Sequence, residues 1–553
     1  MPLDTKWGIP AQYGRPDSLD SVLIIEPTLG LDVAHASVNA PLGATPYSEN
    51  YIIRDGGLEP RPMLTLKSNN AQPIDRVLGG TEVVDVSAVN FPVVSGSTRI
   101  AAFLAGSWSV LSYVAAFGVN APPAAQNTNY YDFTQIYDAT ANQNIAVFCH
   151  DGSLQQLYCW AAGSNIYSTL TGSPSAAHIT AFNDFLVAFN TGGNLVQRVQ
   201  WNDRGSNSSW TGGLSGFADL LDMKGQGNRI MTLENRMVLF SDWEVWQGTP
   251  VQFPFTFDFE PIDKGVGCPF PRTAVTTPIG IMFLSHDNMV YLISKYGGPP
   301  RAVGQQVQKY LRDNIDQPTR AWATYDRTYN QYQLYFPVKG GSGFPQRALF
   351  MNVKDVGISA VYSEALGQGA WALQTYDPIS GGLSLTQGFE AHTSSTATTW
   401  AALLAAGVQW GRIGMTWAQL GGSSEIRAQL VGSSNGTLYT ASSNATSDNN
   451  TTVRSIWRSS AMFGYHPNRQ KTMNRLRIDY QADSSSSLSL EASRTQGASF
   501  DQVGVVSLPA NSFLSEAVFH FYTPARYPLF QVSSEAQRYK LFRFWLNVRA
   551  GGR

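Results

Sequence analysis

Apolar runs and polar turns alternate along the chain from about residue 95 to residue 450. In each instance two short apolar runs flank a turn, which is the pattern of a β-hairpin. The turns use Asp-Gly, Asn-Asp, Glu-Asn, Asp-Asn and Asn-Gly pairs, which tolerate positive φ or satisfy the turn backbone with their side chains. The pattern predicts an all-β protein with hairpins at residues 145–160, 179–199, 230–246, 279–293, 321–338 and 427–442.

The spacing of these hairpins predicts the architecture. The first five recur about every 40–50 residues, which is the length of one four-stranded propeller blade. We therefore expect a β-propeller, with about five to seven blades in the available length. A series of β-sandwiches is the alternative arrangement of the same strands.

The chain has 553 residues, more than one compact core usually holds. A polar stretch at residues 442–452 has the composition of a linker. The alternating segments that follow it predict a small, separate β-sandwich. We divide the chain into an N-terminal arm at residues 1–95, a β-propeller at 96–450 with an insertion near 390–425, and a C-terminal β-sandwich at 451–553.

Three segments depart from the hairpin pattern. Residues 304–316 predict a short helix with an apolar face. Residues 400–417 are apolar and Ala-rich, so the insertion is either a packed edge element or an exposed loop that contacts a partner or narrows a channel. Residues 100–119 carry no charge over the length that spans a bilayer. Their central Gly106-Ser107 pair favours two short strands around a turn, and no membrane span is expected.

The composition favours assembly. Charged residues make up 14% of the chain and aromatic residues 12%, whereas about 25% of residues are charged in ordinary soluble domains. Interface cores are depleted in charge and enriched in aromatic residues, so we expect a homo-oligomer. The net charge of −2 and the absence of a long Lys/Arg cluster argue against tight nucleic-acid binding, although DNA could pass a wall of this kind.

The cysteines and the first residues of the chain limit the possible disulfide and metal chemistry and the cellular compartment of the protein. Cys149, Cys159 and Cys268 are an odd number without CxxC spacing, so we expect reduced, buried thiols and neither disulfides nor a zinc site. Residues 1–14 contain no apolar run of the kind found in secretory signals, so export by that route is not expected. No cofactor is predicted.

Motifs for catalysis are weak. The sequence contains no HExxH, GxSxG, HxH or P-loop motif, and the His150-Asp151 and His286-Asp287 pairs are expected at hairpin tips. One enzyme-like group combines acidic residues with two tryptophans that could stack on sugar rings, but strand alternation would separate Asp242 and Glu244 from Trp243. We predict no enzymatic activity and assign no catalytic, cofactor-binding or metal-binding residue. The group comprises Glu234, Asp242, Trp243, Glu244, Trp246, Asp258 and Glu260.

Three stretches resemble the tail nozzle family of short-tailed bacteriophages, also called tail tubular protein B or packaged-DNA stabilisation protein. Residues 48–64 (SENYIIRDGGLEPRPML) are similar to its early strand, Gly turn and Arg-Pro pair. Residues 199–210 (VQWNDRGSNSSW) resemble its Trp-Ser-Asp strand end, with Asn202 in place of the usual Ser. Residues 262–292 are similar to its Gly-Cys turn and Phe-Leu-Ser hairpin.

The resemblance implies a structural virion protein in the phage tail, made in the host bacterial cytoplasm. It implies a hexameric ring that is attached to the head–tail adaptor, adjoins tail fibres or spikes, and retains and then conducts the genome without sequence-specific binding. The N-terminal arm and the C-terminal sandwich would form its platform. Arg54, Asp55 and Arg61 could make platform contacts or only local salt bridges.

Two alternatives remain at this stage. The chain could be a tail receptor-binding or baseplate protein that recognises host glycans through Trp and Tyr side chains on a propeller face. It could also be a depolymerase that uses the acidic residues between positions 234 and 260.

Overall fold

The computed structural model describes residues 3–4, 9–10, 20–37, 40–41, 43–66, 74–87, 89–104, 107–114, 130–139, 141–150, 156–192, 195–252, 255–354, 356, 370–376, 385–393, 426–442, 445–461, 470–495, 497–535 and 538–550. Within them almost every regular element is a strand. The predicted class is confirmed: the chain is all-β, with a β-propeller and an additional β-sandwich.

Seven sheets form the propeller in the described part of the chain. Blade 1 contains Gly79–Val84, Asn90–Ser95, Ile100–Leu104 and Ser107–Val110; blade 2 contains Tyr131–Asp138, Gln143–His150, Tyr158–Ala161 and Ile166–Thr169, with Ser112–Val114 added in parallel. Blade 3 contains Ala176–Phe182, Phe185–Thr191, Leu195–Trp201 and Gly216–Asp219; blade 4 contains Gly227–Leu233, Arg236–Ser241, Val245–Pro250 and Phe257–Asp263.

The remaining blades complete the ring. Blade 5 contains Val275–Thr277, Gly280–Leu284, Val290–Ser294 and Arg301–Ala302, and blade 6 contains Trp322–Asp326, Gln331–Phe336, Arg347–Asn352 and Trp371–Thr375. Blade 7 contains Leu385–Thr393, Ile426–Ser433, Leu438–Ser442 and Met63–Leu66. The first strands of most neighbouring blades lie side by side around a central axis. Each blade alternates its side chains between the two adjacent blades, which buries apolar residues on both faces.

Met63–Leu66 comes from the N-terminal part of the chain and pairs with Leu438–Ser442. Without this strand, the last blade would have an unpaired strand edge. A strand from the N-terminal part of the chain pairs with that edge and joins the two ends of the propeller. Blade 1 also begins before residue 96, at Gly79. The propeller therefore includes residues 63–66 and 79–95, which the sequence analysis placed in the N-terminal arm.

The β-sandwich combines segments from both ends of the chain. Its first sheet contains Asp20–Ile25, Tyr51–Arg54, Gly57–Pro60, Lys471–Ala482, Asn511–Ala525 and Tyr539–Ala550. The second sheet contains Ser48–Glu49, Ser455–Arg458, Ser486–Ser493, Asp501–Leu508 and Leu529–Ser534. Apolar side chains of the two sheets, among them Trp457, Leu476 and Phe544, form one core.

A few short elements lie outside the propeller blades and the two sandwich sheets. Two small pairs join Leu3–Asp4 to Ile9–Pro10 and Gly30–Leu31 to Ala44–Thr45. The predicted helix is confirmed as Gln305–Asn314, which buries Val307 and Leu311, and single 3-10 turns occupy Pro271–Thr273 and Pro318–Arg320.

Two other segments were singled out in the sequence. The uncharged stretch at residues 100–119 contains the hairpin of Ile100–Leu104 with Ser107–Val110, as expected. Within the described residues no helix has the length and apolar character that crossing a membrane requires. Most of the predicted insertion, residues 394–425, lies outside the described residues and connects the first two strands of blade 7.

Candidate functional site

A cavity of about 210 Å³ lies on the propeller axis. The first strands of six blades contribute to its wall, and a second cavity of about 310 Å³ continues along the axis. The first strands run in the same direction around the axis, so their starts and ends define two ends of this channel. We call them the cationic end and the acidic end. Residues lining both cavities are Gly80, Thr81, Val275, Thr276 and Thr324.

The cationic end is built around the buried carboxylate of Asp132. Arg229 donates a hydrogen bond to Asp132 Oδ1, and Arg272 Nη1 lies 3.3 Å from the same oxygen. His178 Nδ1 lies 2.9 Å from Asp132 Oδ2. Arg272 Nη1 also donates to the Tyr131 carbonyl oxygen at 2.8 Å, which fixes its position. One carboxylate therefore contacts three basic side chains from three other parts of the ring.

The neighbouring positive charges determine the protonation state of the Asp132 carboxyl. Burial by itself raises the pKa of the Asp132 carboxyl, but Arg229 and Arg272, together with the His178 contact, hold that pKa well below its ordinary value. Asp132 is therefore ionised near neutral pH. Two guanidinium groups and one imidazole therefore surround this ionised carboxylate.

The acidic end has the opposite character. Glu82 and Glu390 line the second cavity, and Arg327 Nε donates to Glu390 Oε2 at 2.8 Å. Asp326 is buried at the end of the first strand of blade 6 and accepts hydrogen bonds from the backbone N–H groups of Thr328 and Tyr329. Burial raises the pKa of Asp326 to about 6, since it outweighs those hydrogen bonds, and the charge of Glu390 adds to the rise.

We expect Asp326→Asn to stabilise the protein at neutral pH by up to about 3 kcal/mol. The folded state holds the Asp326 proton between pH about 4 and about 6, where the unfolded state loses it, so the wild type loses stability as pH rises through this window. Asparagine keeps an acceptor for the two backbone N–H groups. Urea denaturation between pH 4 and pH 7 measures the difference.

The exposed Asp313, on the helix Gln305–Asn314, serves as the control when it is changed in the same way. Because this side chain is about half exposed, its replacement should change stability by less than about 0.5 kcal/mol. An Asp326→Asn advantage that is as large at pH 4 as at pH 7 would contradict the assignment.

The acidic residues that the sequence grouped with Trp243 and Trp246 are distributed over the strands and turns of blade 4. Glu234 occupies the turn before Arg236–Ser241, with φ +54°, whereas Asp242 follows the same strand at its other end. Six strand residues span roughly 20 Å, beyond the separation of about 5–10 Å that glycosidic carboxylates need. The structure therefore separates Glu234 from Asp242.

Their individual contacts also point to structural roles. Asp242 Oδ1 accepts from Asn228 Nδ2 at 2.8 Å, and the buried Glu244 accepts from Trp246 Nε1 at 2.8 Å. Residues 241–244 form a turn in which Glu244 N–H donates to Ser241 Oγ, so the strand alternation expected here is wrong. Asp258 is exposed, and Glu260 accepts from Gln247.

The His286–Asp287 pair forms no acid–base couple, because the Asp287 carboxylate accepts from the Met289 backbone N–H at 3.0 Å and from the Tyr291 hydroxyl at 2.8 Å. His150 is buried at the end of its strand with its ring 4.9 Å from that of Tyr131, and Asp151 lies outside the described residues. His286 packs on Trp243, with 4.7 Å between ring centroids. Cys149 and Cys268 are buried as expected, while Cys159 is only partly buried.

The three residues considered for platform contacts fall into two classes. Arg61 is fully buried, pairs with Asp448, and donates to the Thr375 carbonyl oxygen at 3.1 Å. It cannot contact a partner. Arg54 is partly exposed, 3.4 Å from Asp55 and 3.3 Å from Glu59, so the local salt-bridge interpretation fits it.

A second candidate surface is the free edge of the β-sandwich. Asn511–Ala525 pairs with Lys471–Ala482 along one side, and no described strand pairs with its other side. Asp501–Leu508, the outermost strand of the other sheet, is likewise paired only with Ser486–Ser493 among the described strands. Four large apolar side chains on these strands are exposed, by 60% to 77%: Val505, Phe513, Leu514 and Tyr522. We call them the edge patch.

Comparisons with known proteins support the fold only. No family model matches the chain, and no curated protein has a similar sequence. An exo-β-1,3-galactanase from Phanerochaete chrysosporium is similar over 90% of this chain and 100% of that one, with 8% identity and a TM-score of 0.28. The Pan2 WD40 domain of Neurospora crassa (7% identity, 70% and 90% coverage, TM-score 0.32) and BamB from Moraxella catarrhalis (10%, 68% and 97%, 0.30) are also similar.

One sequence-based prediction changes as a result. The chain was expected not to be an enzyme, but an exo-β-1,3-galactanase is among the similar structures. That exclusion is therefore withdrawn. At these identities the similarity concerns the fold alone, so it identifies neither a reaction nor a substrate.

Proposed function

We propose that this chain is a structural subunit of a bacteriophage tail nozzle that assembles into a ring through the edge of its β-sandwich. The observation that carries the proposal is the edge patch on two strands with free hydrogen-bonding edges. A long exposed strand with apolar side chains is a template for pairing with another chain. The occupant we assign to it is a second copy of this protein.

The composition supports this choice of partner. Only 14% of the residues are charged, so electrostatic repulsion between copies of the subunit is weak. Only two acidic or basic side chains, Glu516 and His520, are exposed on Asn511–Ala525 between its apolar positions. This edge could therefore pair with a neighbouring copy without placing many like charges together.

The axial channel determines where a genome could pass. A cavity of about 210 Å³, bordered by the Asp132 cluster, has room for a small molecule but not for a duplex whose major groove alone is about 12 Å wide. A conduit for DNA would have to lie between copies, at the centre of a ring. On this proposal the ring attaches to the head–tail adaptor in the virion tail, adjoins fibres or spikes, and contacts DNA without sequence specificity.

Replacing both Phe513 and Leu514 with serine is expected to dissociate the assembly. Each buried apolar side chain contributes about 2 kcal/mol to association, so each substitution should weaken assembly by more than about tenfold. Sedimentation velocity over a range of protein concentrations measures the shift from rings to monomers.

Leu221 is the matched control, because it is an exposed leucine, 81% accessible, that follows the last strand of blade 3 in the propeller and not a strand of the sandwich. Leu221→Ser should sediment as the wild type does. If the wild type is monomeric at high concentration, or if the Phe513/Leu514 variant assembles normally, the edge patch is not the assembly surface.

A further inference from the structure

We propose that the middle of the axial channel binds a neutral polyhydroxylated molecule, of the size of a single sugar ring, through the hydroxyl groups of Thr81, Thr276 and Thr324. The site lies inside one propeller and is complete in a single chain. The inference therefore does not depend on the proposed assembly.

The charged side chains at the two ends of the channel already contact opposite charges. At the cationic end the carboxylate of Asp132 contacts two guanidinium groups and an imidazole. At the acidic end Glu390 accepts from Arg327 at 2.8 Å. A buried ion is costly unless a counter-charge is free to pair with it. Neither end therefore favours an ionic ligand, and the ligand must be held by the uncharged groups between them.

Three threonine hydroxyl groups between the two ends are available to a ligand. Thr81, Thr276 and Thr324 each line both cavities, and each belongs to the first strand of a different blade. Their hydroxyl groups make no hydrogen bond to another described residue, and they keep contact with solvent. A hydroxyl group both donates and accepts hydrogen bonds, so each of the three can bind a ligand hydroxyl in either sense.

The backbone of the same strands adds further donors and acceptors. Gly79–Val84, Val275–Thr277 and Trp322–Asp326 each pair with the second strand of their own blade, and no described strand pairs with their other edge. In an antiparallel pair, alternate residues direct both N–H and C=O away from the partner strand. The channel wall therefore presents donors and acceptors together, which complements a molecule that carries several hydroxyl groups.

The size and the aromatic residues of the two cavities favour a ring. Volumes of about 210 Å³ and about 310 Å³ correspond to roughly seven and roughly ten water molecules, at roughly 30 Å³ each. Phe133 lines the first cavity, and Tyr325 and Phe389 line the second. Ligand sites commonly combine such apolar rings with a few polar groups that fix orientation. The C–H groups of a pyranose or a cyclic polyol would pack on these rings while its hydroxyl groups bond to the threonines.

Saturation-transfer NMR on the full chain tests the site with three neutral probes, D-glucose, N-acetyl-D-glucosamine and myo-inositol. We expect saturable transfer to at least one of them. Thr276→Val combined with Thr324→Val removes two hydroxyl groups with little change of shape and should weaken that binding by about tenfold, equivalent to about 1.4 kcal/mol. Thr249→Val is the matched control, because Thr249 lies on the third strand of blade 4 and lines neither cavity. It should bind the probe as the wild type does.

Thr276→Trp gives a second test that does not depend on hydrogen bonding. Thr276 is an exposed residue of the channel wall, so a large side chain there should fill the channel and abolish binding, while thermal denaturation shows that the fold is kept. If no probe binds saturably, or if the double valine variant or the tryptophan variant binds as tightly as the wild type, the channel holds only solvent and the proposal fails.

Discussion

Arg61→Met is expected to lower the free energy of unfolding by about 3–5 kcal/mol, because it leaves the buried carboxylate of Asp448 without its partner. Arg61 also donates to Asn50 Oδ1 at 3.2 Å and lies over the ring of Tyr376 at 4.3 Å. It follows the sandwich strand Gly57–Pro60 and precedes the blade 7 strand Met63–Leu66. Urea denaturation followed by tryptophan fluorescence measures the loss.

Two further variants separate the unpaired charge from lost packing. Arg54→Met removes a partly exposed salt bridge and should cost less than about 1 kcal/mol. Arg61→Met combined with Asp448→Leu removes both buried charges and should recover much of the loss, since replacing a buried pair by apolar residues is often close to neutral. An Arg61→Met protein as stable as the wild type would show that the Arg61–Asp448 pair does not stabilise the segment between the β-sandwich and blade 7.

Trp371→Ala should destabilise the protein by about 3–5 kcal/mol, the usual cost of removing a buried aromatic side chain. The indole is fully buried in the core that contains Leu31, Val307 and Leu311, and its Nε1 donates to the Val303 carbonyl oxygen at 3.0 Å. The substitution opens a cavity and leaves that carbonyl without its donor. Thermal and urea denaturation both report this change.

Trp243→Ala is the matched control, because the Trp243 side chain is 50% exposed and lies against His286 on the surface. It should cost less than about 1 kcal/mol, in the range of ordinary surface changes. Equal losses in the two tryptophan variants would mean that blade 6 and the N-terminal segment do not share the core described above.

Local patterns were sufficient to predict the hairpins. The turn residues that the sequence singled out adopt positive φ, at Asn183 and Asp184 in blade 3, Glu234 in blade 4 and Asn288 in blade 5. Asn and Asp tolerate that conformation, and the strands on either side follow from their apolar alternation. Strand type and turn position are therefore readable from short windows of sequence.

Strand pairs and ion pairs between residues far apart in the sequence could not be predicted from such short windows. Nothing in Met63–Leu66 itself indicates that it pairs with Leu438–Ser442, so the boundary of the N-terminal arm was misplaced. Arg61 looked like a surface residue beside a turn, and its partner Asp448 is 387 positions away. Ring closure and buried ion pairs depend on the whole fold, which local periodicity does not encode.

The axial cluster was missed for the same reason, although a signal was present. Asp132, His178 and Arg229 each occupy the second or third position of the first strand in three successive blades. None belongs to a recognisable motif. Aligning the predicted blades by their first strands would have placed three polar residues at the same level of the axis.

Imaging of the assembly tests the central claim most directly. Negative-stain electron microscopy of the purified full chain, together with immunogold labelling of intact phage particles, reports both its oligomeric form and its place in the virion. The account predicts hexameric rings with an axial hole and label on the tail axis. Monomers, label on peripheral appendages, or no label on the particles would contradict it.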